Sequence, residues 1–496
     1  MDNTSQNSSN LISLKSSSFL DIVKAIDNNF ADCPDIVRRY AYLPNGKACY
    51  FIFTDELVDM DVFQRDFMKP LLSMNYEDLI NERKLRALPI GKLYFRTDLQ
   101  ALIKDIMTGG ITFIYDGMYF AISCRLDKYE KRNITEPDTE KNVRGAHDGF
   151  VENSKTNIAI LRKKIQNNNL KFKTIQLGDT TNQTVSIAYI NGIANQSIIN
   201  ELYKRISKIN TDGLIGVGYI EQAITDNPNS PFPQFLATER PDKVVASLLE
   251  GKLAVIVEGN PVALIAPVTF SAFFQVADDY NSSWIMGTFL RLLRLIAIII
   301  ALFLPAIYIA ITSFHYYMVP LKLLIPLAES RYRVPFPPFM EAIIMEITLE
   351  LVREASIRLP TYIGSTIGII GGIIIGQAAV QAGIASVLMI IVVAVTAIAS
   401  YATPVYDMGF SIRIYRLIVM IAAAVIGVVG ILSCVVFLVG HLLSLESLGE
   451  PYFKPLVPLR FKDLKDTFVR LPFKYLKKRP DTANPMDKYR GGKGDE

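Results

Sequence analysis

Residues 359–406 carry no charged side chain, a run of 48 positions between Arg358 and Asp407. At about 1.5 Å per residue a single helix of that length would reach roughly 72 Å, more than twice the ~30 Å hydrocarbon core of a bilayer. The run is therefore expected to fold as two crossings, Tyr362–Ala382 and Ile384–Tyr401, with Gln377, Gln381 and Gly383 marking the turn between them. Gly364, Gly368, Gly372 and Gly376 recur at every fourth position inside it. That spacing puts all four on one helix face, where a second helix can approach closely. The neighbour is either another span of the same chain or another copy of it; the spacing alone leaves both open.

Just upstream lies Glu341-Ala-Ile-Ile-Met-Glu346-Ile-Thr-Leu-Glu350-Leu-Val-Arg353-Glu354. Pro337-Pro338 precedes it and Pro360 follows, so the helix is expected over residues 339–359. Glu346, Glu350 and Glu354 stand at i, i+4 and i+8 and share a face, while Ile343, Ile344, Ile347 and Leu351 lie largely on another. Glu354 and Arg358 form an i, i+4 pair in the favourable order. Two readings stand side by side. Glu341, Glu346, Glu350 and Glu354 could line a cation path in an oligomer, since rings of carboxylates select cations. Equally, the helix could lie on the membrane surface with its carboxylates solvated or paired.

Two further spans are expected. Leu295–Phe314 is 20 uncharged residues with Arg291 and Arg294 at its entrance, which favours a cytoplasmic start. Leu417–Leu438 is the last. Four spans put both termini on one side. They also place 315–361 outside with five basic residues, against the positive-inside tendency. That conflict eases if the acidic helix enters or re-enters the membrane. From Glu450 onward the tail carries 12 Lys/Arg against 7 Asp/Glu, as expected for a cytoplasmic segment near anionic lipid. His315 and His441 each follow an apolar span and read as interface residues more readily than as proton relays.

The preceding residues mix polar and apolar positions and predict a soluble α/β region of two subdomains. Residues 1–18 are a Ser/Asn-rich tail expected to be disordered, without the apolar stretch of a signal peptide, so the soluble region is expected in the cytoplasm. The first subdomain spans 19–126, with helices at Phe19–Asn28, Leu57–Met74 and Leu99–Ile106. Its strands are Ala48–Phe53 and a hairpin, Ile111–Tyr115 and Met118–Cys124, turned by Asp116-Gly117. A charged linker covers 127–148, and a second subdomain 149–268. There Thr156–Gln166 and Ser197–Ile209 read as helices, and Lys171–Leu177 and Thr184–Ile190 as strands. The apolar stretch 253–275 is not expected to cross the membrane. Glu258-Gly-Asn-Pro261 sits between Val255–Val257 and Val262–Leu264 and reads as a hairpin turn. Pro267–Trp284 leads into the membrane domain, 269–448, and its aromatics suit either the interface or a packed core. The tail is 449–496.

The net charge of +4 names no partner, and no basic stripe interleaved with aromatics suggests nucleic acid. The four cysteines are far apart, form no metal spacing and are expected to be free and buried. No enzyme motif and no cofactor or metal signature is present. A secondary transporter would be expected to show internal repeats and more spans.

Ordered motifs from about residue 145 to 480 carry a family resemblance. They include Ser230-Pro-Phe-Pro-Gln234, Thr238-Glu-Arg-Pro-Asp242, Ser247-Leu-Leu-Glu-Gly251, Phe273-Phe-Gln275, Val334-Pro-Phe-Pro337, Arg353-Glu-Ala355, Arg358-Leu-Pro360 and Ile375-Gly-Gln-Ala-Ala-Val380. With these the chain resembles the A-subunit family of spore germinant receptors of endospore-forming bacteria. The resemblance implies a nutrient-sensing complex of the spore inner membrane, with a transporter-like B subunit and a lipoprotein C subunit. It also implies self-association and release of monovalent cations. Tyr316-Tyr317 and Asn281 depart from the family pattern, which has an acidic residue after Phe314-His315 and a second tyrosine after Asp278-Asp-Tyr280.

Overall fold

The computed structural model describes residues 18–126, 144–359, 374–460 and 463–491, together with Leu14, Pro137, Glu140, Asn142 and Gly372. The chain divides into two compact units. One comprises residues 1–225, 235–267 and 478–496, the other 226–234 and 268–477.

The first unit contains two five-stranded sheets, every pairing in them antiparallel. The first sheet uses β1 (Ile36–Tyr42), β2 (Ala48–Thr54), β3 (Leu93–Arg96), β4 (Gly110–Tyr115) and β5 (Ala121–Arg125), in the order β1-β2-β4-β5-β3. The hairpin forms, but with a longer connection than the expected two residues: β5 begins at Ala121 instead of Met118, and the pairing ends at Phe113 opposite Ile122. Met118 N–H donates to Tyr115 O at 3.2 Å, with Asp116-Gly117 in the middle of the turn and Gly117 at a φ of 97°. Strand β1 is invisible to a search for apolar runs because it is an edge. Arg38, Arg39 and Tyr40 are exposed there, a composition that discourages further strand pairing. The expected helix 57–74 is interrupted: Met60–Val62 and Lys69–Ser73 flank a π-turn at Phe63–Met68. Pro70 near the start of the last piece cannot donate a helical hydrogen bond, and the wider turn accommodates it. Phe51, Phe53, Phe63, Phe67 and Phe113 fill the core beneath.

The second sheet uses β6 (Leu170–Leu177), β7 (Gln183–Ile190), β8 (Leu236–Thr238), β9 (Leu253–Val257) and β10 (Ala263–Ala266), ordered β6-β7-β9-β10-β8. Leu264 pairs with Val255 and Ala266 with Leu253, so the apolar stretch 253–266 is a buried hairpin and not a membrane span. The helices Ser154–Lys164 and Gln196–Ser207 flank it, each opened by an asparagine cap. The Thr238–Asp242 motif acts as a clasp. Arg240 donates to Glu140 O, Ala146 O and Asp242, and Thr238 donates to Glu140, which pins the second half of the linker to this subdomain. The two sheets are tied by Arg162, whose guanidinium takes Asp35 in a two-pronged contact at 2.8 and 2.9 Å. All four cysteines are free and buried.

The second unit is helical. Two of its described helices, Trp284–Ser313 and Tyr406–Ile426, are long and apolar enough to cross a membrane, and Val387–Tyr401 and Val428–Ser444 are shorter apolar helices. The expected span Leu417–Leu438 is not one helix. The chain reverses at Gly427, with φ 60° and ψ −138°, a conformation that suits glycine alone. Tyr415 Oη donates to Cys434 O at 2.6 Å. In a continuous helix those residues would stand about 28 Å apart, so Tyr406–Ile426 and Val428–Ser444 form an antiparallel hairpin. Of the aromatics leading into this unit, Phe273 and Phe274 are buried and build core, Phe270 and Tyr280 are half-buried, and Trp284 is exposed. The 449–496 tail does not stay apart either. Tyr452 is fully buried and donates to Pro233 O, and residues 478–491 rejoin the first unit.

Candidate functional site

The acidic segment is helical over Pro338–Arg358, close to the expected 339–359. At 21 residues it measures about 32 Å, enough to match a bilayer core. It runs alongside the apolar helices, as its contacts at both ends show. Near its start, Glu341 reaches Ser386, which opens the Val387–Tyr401 helix. Near its end, Arg353 Nη2 donates to Ser400 Oγ at 3.0 Å. The two helices are therefore parallel and in register along most of their length. In the middle, Arg416 of Tyr406–Ile426 reaches Glu346, and its Nη1 also donates to Ala301 O at 3.4 Å.

The four carboxylates meet four different environments. Glu341 is fully buried. The N–H and O–H of Ser386 both donate to its Oε1 at 2.5 Å, while Ser386 Oγ caps its own helix by accepting from Met389 N–H. Tyr308 Oη lies 3.1 Å from the same Ser386 Oγ. Glu346 is also buried, and Arg416 Nη2 sits 2.6 Å from its Oε2. Glu350 is partly exposed and takes Arg353 at 3.1 Å, Arg413 at 3.3 Å and Arg416 at 3.8 Å. Glu354 is exposed and paired with Arg358 at 2.5 Å, the expected i, i+4 contact. Only Glu350 and Glu354 keep access to the outside.

Arginines were the signal that the acidic pattern hid. Arg353, Arg413 and Arg416 converge on Glu346 and Glu350, and aromatic faces complete their surroundings. Arg353 lies over Tyr401, and Arg413 over Tyr406 and Phe410. Charge within an apolar helix could have suggested this, because a guanidinium at such depth requires a partner. Of the glycine stripe, Gly364 and Gly368 lie outside the described residues. Gly376 faces Ile390 of the Val387–Tyr401 helix, so it packs within the chain. Gly372 has none of the described residues within 4 Å of where a Cβ would stand. His441 is held at 2.9 Å from Ser230 Oγ, and Phe232 packs against both His441 and Tyr415, so the Ser230–Gln234 motif anchors the last hairpin.

The chain is similar to known proteins over most of its length. Residues 24–482 match the family model described as Bacillus/Clostridium GerA spore germination protein. The chain is 40% identical over 445 residues to spore germination protein KA of Bacillus subtilis (strain 168), covering 89% of this chain and 82% of that one. It is 44% identical over 385 residues to spore germination protein B1 of the same organism, covering 78% and 80%. Spore germination protein GerLA of Bacillus cereus is 38% identical over 474 residues, covering 94% and 96%. Among solved structures, the N-terminal domain of the A subunit of the Bacillus megaterium spore germinant receptor GerK3 is 29% identical, with a TM-score of 0.41 over 52% of this chain and 98% of that one. The chain belongs to the GerA family of spore germination proteins.

Proposed function

We propose that this protein is the A-type subunit of a germinant receptor in the spore inner membrane, a receptor component and not an enzyme. In this reading it works with a transporter-like B subunit and a lipoprotein C subunit. Copies of it associate, and germinant opens a path for monovalent cations along the Pro338–Arg358 helix. The observation that carries the reading is the place of that helix. It is long enough to cross, it packs lengthwise among apolar helices, and it leaves Glu350 and Glu354 accessible.

With this helix as a crossing, Trp284–Ser313, Pro338–Arg358, Val387–Tyr401 and the Gly427 hairpin make five passages, and the expected span Tyr362–Ala382, of which residues 362–371 and 373 lie outside the described residues, would make a sixth. An even number keeps both termini on the cytoplasmic side. Arg353 and Arg358 then stand at the opposite end from the outer loop 315–337, which relieves the positive-inside conflict. Glu341 and Glu346 hold the bundle together, and Glu354 and Glu350 face the ions. A non-conducting signalling subunit is the second reading. It is favoured by the engagement of all four carboxylates within the chain, Glu341 by Ser386 and the other three by arginines.

Flux of K⁺ and Na⁺ from liposomes containing the full receptor separates the two. Glu354→Gln with Glu350→Gln is expected to lower cation over anion selectivity roughly tenfold, a change of about 1.4 kcal/mol. Germinant-triggered flux with unchanged selectivity, or no flux at all, assigns conduction elsewhere.

A further inference from the structure

At the start of the Trp284–Ser313 helix lies a cavity of about 80 Å³ walled by Phe270, Phe274, Leu295, Phe453 and Leu456. Arg291 and Lys454 also line it, and its lining includes no carboxylate. Arg291 is 1% exposed, and its Nη2 has no hydrogen-bond partner among the described residues, although Nη1 and Nε are engaged by Asp466 and Asp279. Lys454 is buried too and pairs with Glu450 at 2.6 Å.

Beside the cavity Arg291 and Arg294 meet the carboxylates of Asp279 and Asp466. Arg470 makes its bonds to the carbonyls of Asp279, Tyr280 and Ser282 rather than to a carboxylate. A buried donor such as Arg291 Nη2 is costly to leave without an acceptor. The walls beside it are apolar and aromatic, which excludes a free, strongly hydrated anion as the best-fitting occupant. The volume admits a charged head and its first carbons, not a whole lipid.

We propose that this cavity binds an anionic lipid, with a head-group oxygen on Arg291 and the adjoining chain against Phe270, Phe274 and Leu295. The position suits it, since Leu295 begins the uncharged part of the helix and Arg291 stands just before it. Basic pockets at the edge of a bundle are where anionic head groups dock. The inference rests on the reading that the bundle lies in a membrane.

Trp284 is the only tryptophan in the chain and opens the same helix, so its fluorescence reports both points. The full chain is reconstituted in phosphatidylcholine vesicles carrying acyl-brominated phosphatidylcholine or acyl-brominated phosphatidylglycerol at equal mole fraction. Quenching by the brominated phosphatidylcholine tests membrane insertion. Stronger quenching by the brominated phosphatidylglycerol, lowered about fivefold in apparent affinity by Arg291→Gln, is the expected result. Ser271→Phe, which fills the cavity without touching the Arg291 ion pairs, is expected to abolish the preference even if Arg291→Gln fails to fold. Equal quenching by both lipids overturns the lipid site and leaves the membrane reading intact; quenching by neither overturns both. Loss of the preference in excess inorganic phosphate at constant ionic strength would reassign the site to a small anion and overturn the lipid assignment. Persistence of the preference in phosphate, with displacement by brominated oleate, would identify a fatty-acid carboxylate as the anionic lipid rather than a phospholipid.

Discussion

Glu346 and Arg416 stand on different helices and meet at 2.6 Å, with side chains 2% and 3% exposed. Neither is stable there without the other, because a lone buried charge keeps its desolvation cost and loses its attraction. Glu346→Ala or Arg416→Ala is expected to cost about 3–5 kcal/mol, while Glu346→Leu with Arg416→Met is expected to recover most of the loss. Thermal unfolding of the purified chain in detergent gives the midpoints for the double-mutant cycle. Additive losses would mean that the two side chains do not act as a pair.

The reversal at Gly427 is expected to reject any side chain. Its φ of 60° is strained for other residues, and a Cβ would come within 2.7 Å of His315 Cε1. Gly427→Ala is therefore expected to lower stability by about 1–3 kcal/mol. Gly372→Ala is expected to leave the stability of the single chain unchanged, since that Cβ meets none of the described residues. If Gly372 packs between copies, the same substitution weakens association, which cross-linking in membranes would register.

Arg162 and Asp35 join the two sheets of the first unit through a buried two-pronged contact, and Arg162 further donates to Asn167 O and Leu170 O. Arg162→Met strands Asp35 and removes three anchors, with an expected loss of about 3–5 kcal/mol. Proteolysis of the full chain should then cut first within 19–207. A cleavage pattern like that of the wild type would refute a joining role.

Burial pushes the Cys49 thiol up to about 11. The folded state therefore holds this proton above pH 9, where the unfolded chain releases it. The stability associated with the buried neutral thiol is complete below about pH 9 and is lost as pH rises toward 11. Two pH units correspond to a loss of at most about 2.7 kcal/mol. Cys49→Val is expected to show a shallower alkaline decline in unfolding midpoint. Burial raises the Cys33 and Tyr189 groups in the same direction, so part of the decline remains.

Local signals were readable wherever one residue or one short period decides the conformation. The Asp116-Gly117 turn, the 253–266 hairpin and the ends of the acidic helix follow from turn chemistry, a mid-segment charge and flanking prolines. The edge strand Ile36–Tyr42 and the π-turn at Phe63–Met68 were not readable in the same way. Their residues resemble an exposed loop and an ordinary helix until a neighbouring strand or a core is present. The Gly427 reversal was hidden by hydropathy, which averages over the very residue where the chain turns back.

The amino-acid sequence by itself determined that this chain joins an α/β region to an apolar helical region and places an acidic helix before a long uncharged run, because composition and periodicity are local properties. Only the tertiary structure decided what each charge meets. Glu341 is taken by Ser386, Glu346 by Arg416, and Glu354 stays at the surface with Arg358. Helix spacing along the sequence says which carboxylates share a face; which of them are buried depends on the register of three helices packed side by side. That register is set by the sum of their side-chain contacts and not by any stretch of sequence alone.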